Sequence, residues 1–170
     1  MSQTDRYGGR WSKADLEAFA TSAEETYSIP PGGLRALIAA ESAWNINAVS
    51  PAGAEGLAQF MPPTSAEWEV DPWDPIDAIN GAARYLAWLR SRVPTWSAAL
   101  AAYNWGIGNV EKTLQDDGLL PLDRLPAETQ KYVIKLAPAF GESPSGAPTA
   151  PVGAPLVALL GMLGLVWWLS

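Results

Sequence analysis

Helical periodicity runs through most of this chain, and one helix sets a carboxylate where the pattern calls for an apolar side chain. In the run Gly33 to Ser42, Leu34, Leu37 and Ile38 share one face, and Glu41 is next in the same register. Ionising a Glu on a buried stripe is costly, because desolvation disfavours the charged form. Its pKa should rise, which suits a proton donor at neutral pH. The plainer reading is a capped or salt-bridged surface Glu at a helix end.

The same spacing recurs elsewhere. Ser12, with Asp15 three residues on, is a capping pair that starts a helix carrying Leu16, Phe19, Ala20 and Ala23 as far as Tyr27. Ile29-Pro30-Pro31-Gly32 breaks it. Trp44 to Gly56 is rich in Asn, Ser, Pro and Gly and reads as loop or small irregular strands; a short helix follows around Pro63 to Trp68. Asp74-Pro75 opens a helix reaching Arg92, through Ile76, Ile79, Ala83, Leu86 and Leu89. Another follows Pro94-Thr95 and stops at Gly106 and Gly108, and a last one begins near Pro126 with Tyr132, Val133 and Leu136 inside. Strand signals are weak throughout, so the fold class expected is mainly α.

The expected organisation is a polar N-terminal segment over residues 1–11, a helical domain over 12–140 and a Pro/Gly/Ala linker over 141–151. The last element is a single predicted transmembrane helix over 152–169. That segment has no charged residue and ends Trp167-Trp168-Leu169-Ser170, a length and ending suited to a membrane anchor. The N-terminus lacks the basic-then-apolar design of a secretory signal. Export by the usual route is therefore not expected, and a bacteriophage origin, in a virion membrane or in lysis, would reconcile the two ends.

What is missing narrows the chemistry. With 0 Cys and 0 His in 170 residues, thiol nucleophiles, Ser-His-Asp triads and imidazole zinc sites are excluded. Acid–base work falls to Glu, Asp, Tyr or Lys, and no cofactor or metal is expected. The net charge of −7 argues against a nucleic-acid partner, which needs a basic stripe.

Four blocks then stand in order: Glu41-Ser42-Ala43-Trp44-Asn45; Ser50-Pro51-Ala52-Gly53-Ala54-Glu55-Gly56-Leu57-Ala58-Gln59-Phe60-Met61-Pro62; Ala101-Ala102-Tyr103-Asn104-Trp105-Gly106-Ile107-Gly108-Asn109; and Glu128-Thr129-Gln130-Lys131-Tyr132-Val133. Together they resemble the soluble lytic transglycosylase family, over roughly residues 14–136. The resemblance implies a lysozyme-like helical domain that cuts the MurNAc–GlcNAc β-1,4 bond of peptidoglycan glycan strands and leaves a 1,6-anhydro end. It also implies roles. Glu41 matches the single catalytic acid and base, and Ser50 a hydroxyl contacting substrate. Gln59 and the Gly56-Leu57 turn match the segment beside the acid. Tyr103 and Asn104 match a pair facing the Glu across the cleft, Tyr132 a later cleft tyrosine, and Glu128 a supporting carboxylate. Phe60 and Trp105 stand where smaller or aliphatic residues are usual in the family, which touches subsite shape rather than catalysis.

One carboxylate can suffice. Ordinary glycosidases pair two, but substrate-assisted enzymes let the substrate's acetamido oxygen stand in for the nucleophile. Other readings remain open on the residues themselves. Ser50 before Pro51 is a good turn residue, and Tyr103 and Tyr132 suit a core with a hydrogen-bonded hydroxyl. Glu128 suits a helix N-terminus, and Glu55 is a rival second carboxylate. A muramidase that uses water and a non-catalytic murein-binding envelope protein are the competing functions.

Overall fold

The computed structural model describes residues 1–114, 116 and 118–145. Helices α1 (Lys13–Thr26), α2 (Gly33–Ser42), α3 (Pro62–Glu67), α4 (Pro75–Arg92), α5 (Trp96–Trp105), α6 (Ile107–Glu111) and α7 (Ala127–Leu136) follow a short hairpin of β1 (Ser2–Thr4) and β2 (Arg10–Ser12). Single 3-10 turns lie at Leu122–Arg124 and Ala137–Phe140.

Local chemistry explains most helix boundaries. Ser12 and Asp15 form the expected capping box on α1. Asp74 caps α4 through the N–H groups of Ile76 and Asp77, with Pro75 at the first helical position. Thr95 caps α5 at Ala98, and the chain leaves that helix at Gly106 with φ 91°. The short α6 is an element that the spacing does not foretell.

The core sits around α5, whose residues Ala98 to Ala102 are all wholly buried. Small side chains let α4, α6 and α7 approach it closely. α2 packs between α1 and α7, with Leu34, Leu37 and Ile38 at 0% exposure, as the periodicity requires. Gly56, with φ 70°, lies against the backbone of Pro72. A Cβ there would stand 1.8 Å from the Pro72 carbonyl oxygen, so glycine alone fits the turn.

Three findings add to or change these expectations. First, the polar N-terminal segment carries a hairpin: β1 and β2 pair antiparallel, Ser2 with Ser12, Gln3 with Trp11 and Thr4 with Arg10. Asp5 ties the turn by accepting from the N–H groups of Tyr7 and Gly9 and from Trp11 Nε1. Such side-chain bonds need no apolar alternation, which is why strand patterning misses them. Second, the opening of the expected linker belongs to the packed structure. Glu142 accepts from the N–H groups of Trp96 and Ser97 at the start of α5, at 3.0 and 2.8 Å, and Ser97 Oγ donates to Ser143 O.

The third change concerns the membrane. Among the described residues no helix is long and apolar enough to cross a bilayer, so the expected fold class loses its transmembrane helix. The longest, α4, has 18 residues but carries Asp77, Arg84, Arg90 and Arg92, too many charges to face lipid. The predicted span over 152–169 lies outside the described residues. What stands is a mainly helical domain.

α2 has no cap of its own, since Gly32 precedes it with no side chain to offer. Glu24 of α1 does that work: only 2% exposed, it accepts from Gly32 N at 2.9 Å and Arg35 N at 3.1 Å, and Arg35 Nε lies 3.5 Å from it. Replacing it with Ala strands two backbone donors. Glu24→Ala is expected to lower stability by about 2–4 kcal/mol in urea unfolding, and Glu24→Gln by less.

Candidate functional site

α2 delivers Glu41 in its last turn, on the face that also carries Leu37 and Ile38, so the carboxyl is only half exposed. Burial is the main force on its titration and pushes its pKa up from 4.5 to about 7. The exposed Glu128, in the first turn of α7, pushes the same way; Lys135 and a hydrogen bond from Tyr132 push back. Tyr132 Oη donates to Glu41 Oε1 from α7, leaving Oε2 to carry a proton. Burial and the Glu41 charge hold the Tyr132 and Tyr103 phenols well above 10, so both stay protonated donors.

Beside this pair is a pocket of about 250 Å³. Gln59, Tyr103 and Asn104 line it, as do Phe60, Thr64 and Tyr85. Tyr103 joins the two parts, because it lines the pocket and its phenol feels the Glu41 carboxylate. Its hydroxyl donates to Ala58 O at 3.0 Å, which pins α5 to the segment before Gln59. Gln59 sits at φ 52°, and its side-chain amide donates to Gly56 O at 2.8 Å and Ala48 O at 3.4 Å, so it braces the turn as well as facing the pocket.

The structure thus gathers Glu41, Tyr132 and Tyr103 at one place, with Gln59 and Asn104 on the pocket wall. Ser50 is tied up locally, its hydroxyl accepting from Ala54 N at 2.9 Å, as its turn chemistry allows. Glu128 makes no hydrogen bond to Glu41 and acts on it through charge. Glu55 is occupied through its backbone, which forms isolated bridges with Val49 and Phe60. Among the described residues no group of carboxylates is arranged to hold a metal ion.

Sequence reasoning missed Thr129. It is 2% exposed and donates from Oγ1 to Asn104 Oδ1 at 2.7 Å, which holds a side chain of the pocket wall in place. The signal was available: Thr129 stands three residues before Tyr132, in phase with Val133 and Leu136. Tyr85 was missed for a different reason. It reaches the pocket only because α4 lies across α5, and it packs 5.4 Å from the Tyr103 ring.

Residues 18–121 match the Transglycosylase SLT domain family, more than half of the chain, and the chain belongs to that family. It is 39% identical over 87 residues to a membrane-bound lytic murein transglycosylase F of Alteromonas mediterranea, covering 46% of this chain and 19% of that protein. The corresponding protein of Shewanella loihica is 40% identical over 93 residues, covering 48% of this chain and 19% of the relative. Among solved structures, an inactive mutant of lytic transglycosylase Slt from Pseudomonas aeruginosa superposes with TM-score 0.61 at 26% identity, over 73% of this chain and 23% of that one. The 70 kDa soluble lytic transglycosylase of Escherichia coli gives 0.60 at 29%, over 76% and 24%. The expected lysozyme-like architecture stands on this likeness. The chain spans 19% of the length of these curated relatives, so the match is to one domain of larger proteins.

The raised pKa carries a stability prediction. Folded Glu41 holds its proton up to about 7, whereas the unfolded chain releases it near 4.5. Stability from this group is complete below 4.5 and is lost as pH rises through 7. Glu41→Gln, which cannot ionise, should gain on the wild type by about 2–3 kcal/mol between acidic and mildly alkaline pH, read from denaturation midpoints at both ends.

Proposed function

We propose that this domain is a peptidoglycan lytic transglycosylase, cleaving the MurNAc–GlcNAc β-1,4 bond and closing a 1,6-anhydro ring on MurNAc. The observation that carries the reading is a half-buried carboxyl, raised to a pKa of about 7 and held by one tyrosine, beside a pocket that Gln59 and Asn104 line. Family membership and the names of the relatives support it.

Glu41 starts protonated and gives its proton to the glycosidic oxygen as the C1–O bond breaks, the electron pair leaving with that oxygen. The acetamido carbonyl oxygen of MurNAc takes the developing positive charge at C1, so no second carboxylate is needed. The Tyr132 hydrogen bond stabilises the Glu41 carboxylate left behind. That carboxylate then removes the proton of the C6 hydroxyl as O6 attacks C1. Glu41 ends protonated, ready for another turn, and no water is consumed. In this scheme Gln59 and Asn104, on the pocket wall, hydrogen-bond the sugars, Tyr103 shapes the wall between pocket and acid, Ser50 contacts the strand at the cleft edge, and Glu128 helps keep Glu41 neutral.

Two measurements test this. Glu41→Gln should lose about 10³-fold in the release of soluble fragments from purified murein while still sedimenting with it. Wild-type fragments should be lighter by one water than the hydrolysis products of the same bonds; reducing ends would assign the water-using muramidase instead. Activity should also decline about tenfold per pH unit above 7 as Glu41 loses its proton. Tyr132→Phe removes a bond that favours the carboxylate, so its alkaline limb should move to higher pH while its rate falls.

A further inference from the structure

The N-terminal hairpin precedes the residues that match the family, yet it reaches the backbone at Trp44 and Ile46, where the chain leaves the helix that carries Glu41. α2 closes through Ala43 and Trp44, two successive non-glycine residues in the left-handed region, at φ 51° and 66°. Such a pair is strained and persists only where surrounding contacts hold it. The contacts come from β1. Gln3 Nε2 donates to the carbonyl of Trp44 at 2.7 Å, and Gln3 Oε1 accepts from the N–H of Ile46 at 3.2 Å. Trp44 and Ile46 are 4% and 1% exposed, so water is a poor substitute for that amide. One residue on, Asn47 Nδ2 donates to Thr4 O at 3.0 Å.

The clamp has a firm base. Gln3 stands opposite Trp11 in the hairpin, and the Trp11 ring packs edge-on against Phe19 of α1, 6.0 Å between centroids. Glu41 itself lies two residues before the strained pair, in the turn of α2 that frays most readily because its last carbonyls lack intrahelical partners.

We propose that Gln3 is a positioning residue: by bridging Trp44 O and Ile46 N it holds the strained exit of α2 and so fixes the direction in which Glu41 projects toward α7. This rests on the reading of Glu41 as the acid. The groups facing Glu41 are Tyr132, Lys135 and Glu128 from α7 and Tyr103 from α5. When the exit of α2 loosens, the carboxyl leaves Tyr132, gains water and titrates lower.

The test uses the full chain with Gln3→Met, which keeps length and loses both hydrogen bonds. Gln3→Glu keeps the acceptor for Ile46 and loses the donor to Trp44, so the comparison survives should Gln3→Met unfold. Asn47→Ala cuts a neighbouring hairpin contact, and Glu41→Gln is run in parallel. Turnover of soluble, uncrosslinked peptidoglycan strands is followed across the neutral pH range beside thermal unfolding. The Gln3 variants should lose about tenfold in kcat with KM within about twofold of wild type, and their alkaline limb should move to the acid side of wild type. Asn47→Ala should keep wild-type kcat and limb. If the Gln3 variants show a lower Tm but wild-type kcat and limb, Gln3 is structural only and the proposal is overturned. An equal kcat loss in Asn47→Ala overturns it too, since hairpin docking in general would be responsible. An active Glu41→Gln, or a wild type with no alkaline limb, sinks the reading of Glu41 rather than that of Gln3.

Discussion

The site depends on a carboxyl kept partly out of water between α2 and α7. Burial is what raises the Glu41 pKa, and the Tyr132 bond is what keeps burial from raising it further. Both effects need α7 to lie across the last turn of α2. Neither helix can supply them alone, because a single solvated helix would leave the carboxyl near its ordinary value. The packing that brings α7 there is a chain of small residues on α5, wholly buried and flat enough for helices to close on it from several sides.

α2 is held at both ends by chain segments distant in sequence. At its start Glu24 of α1 provides the cap that Gly32 lacks, with a negative charge at the positive end of the helix dipole. At its exit the Gln3 amide meets the strained turn. A ten-residue helix is marginal by itself, so these two anchors, with the apolar face between them, make its position definite enough for chemistry. The family match runs from within α1 to the segment before α7, and the hairpin precedes it. It takes in Glu24, Glu41 and the pocket residues, while Gln3 and Tyr132 lie on either side of it.

The relatives are much longer proteins, and the present chain corresponds to one domain of them. That domain contains a half-buried carboxyl, a pocket beside it and its own braces. Its pocket is lined by aromatic rings in mutual contact, Phe60, Tyr85 and Tyr103, so its shape is set by ring packing as much as by backbone. Phe60 is part of that wall, apart from the Glu41–Tyr132 pair.

Local signals were legible wherever the physics is local. The capping box at Ser12, the Asp74-Pro75 start of α4, the apolar phase of α2 and the glycine stop after α5 can all be read along the chain, because each depends on residues a few positions apart. The displaced carboxylate in that phase already implied a raised pKa. The hairpin gives no alternating pattern along the chain because side chains tie its turn, and Glu142 reads as linker because its partners lie 46 and 45 residues away. By itself the sequence determined the helical class, the Glu41 carboxyl in apolar register and the residues available for chemistry without His or Cys. Only the tertiary structure decided that Tyr132 meets Glu41, that Thr129 bonds Asn104 and that Ser50 is engaged in its own turn. Those outcomes depend on which helix faces close on one another, and that is settled by burial across the whole core.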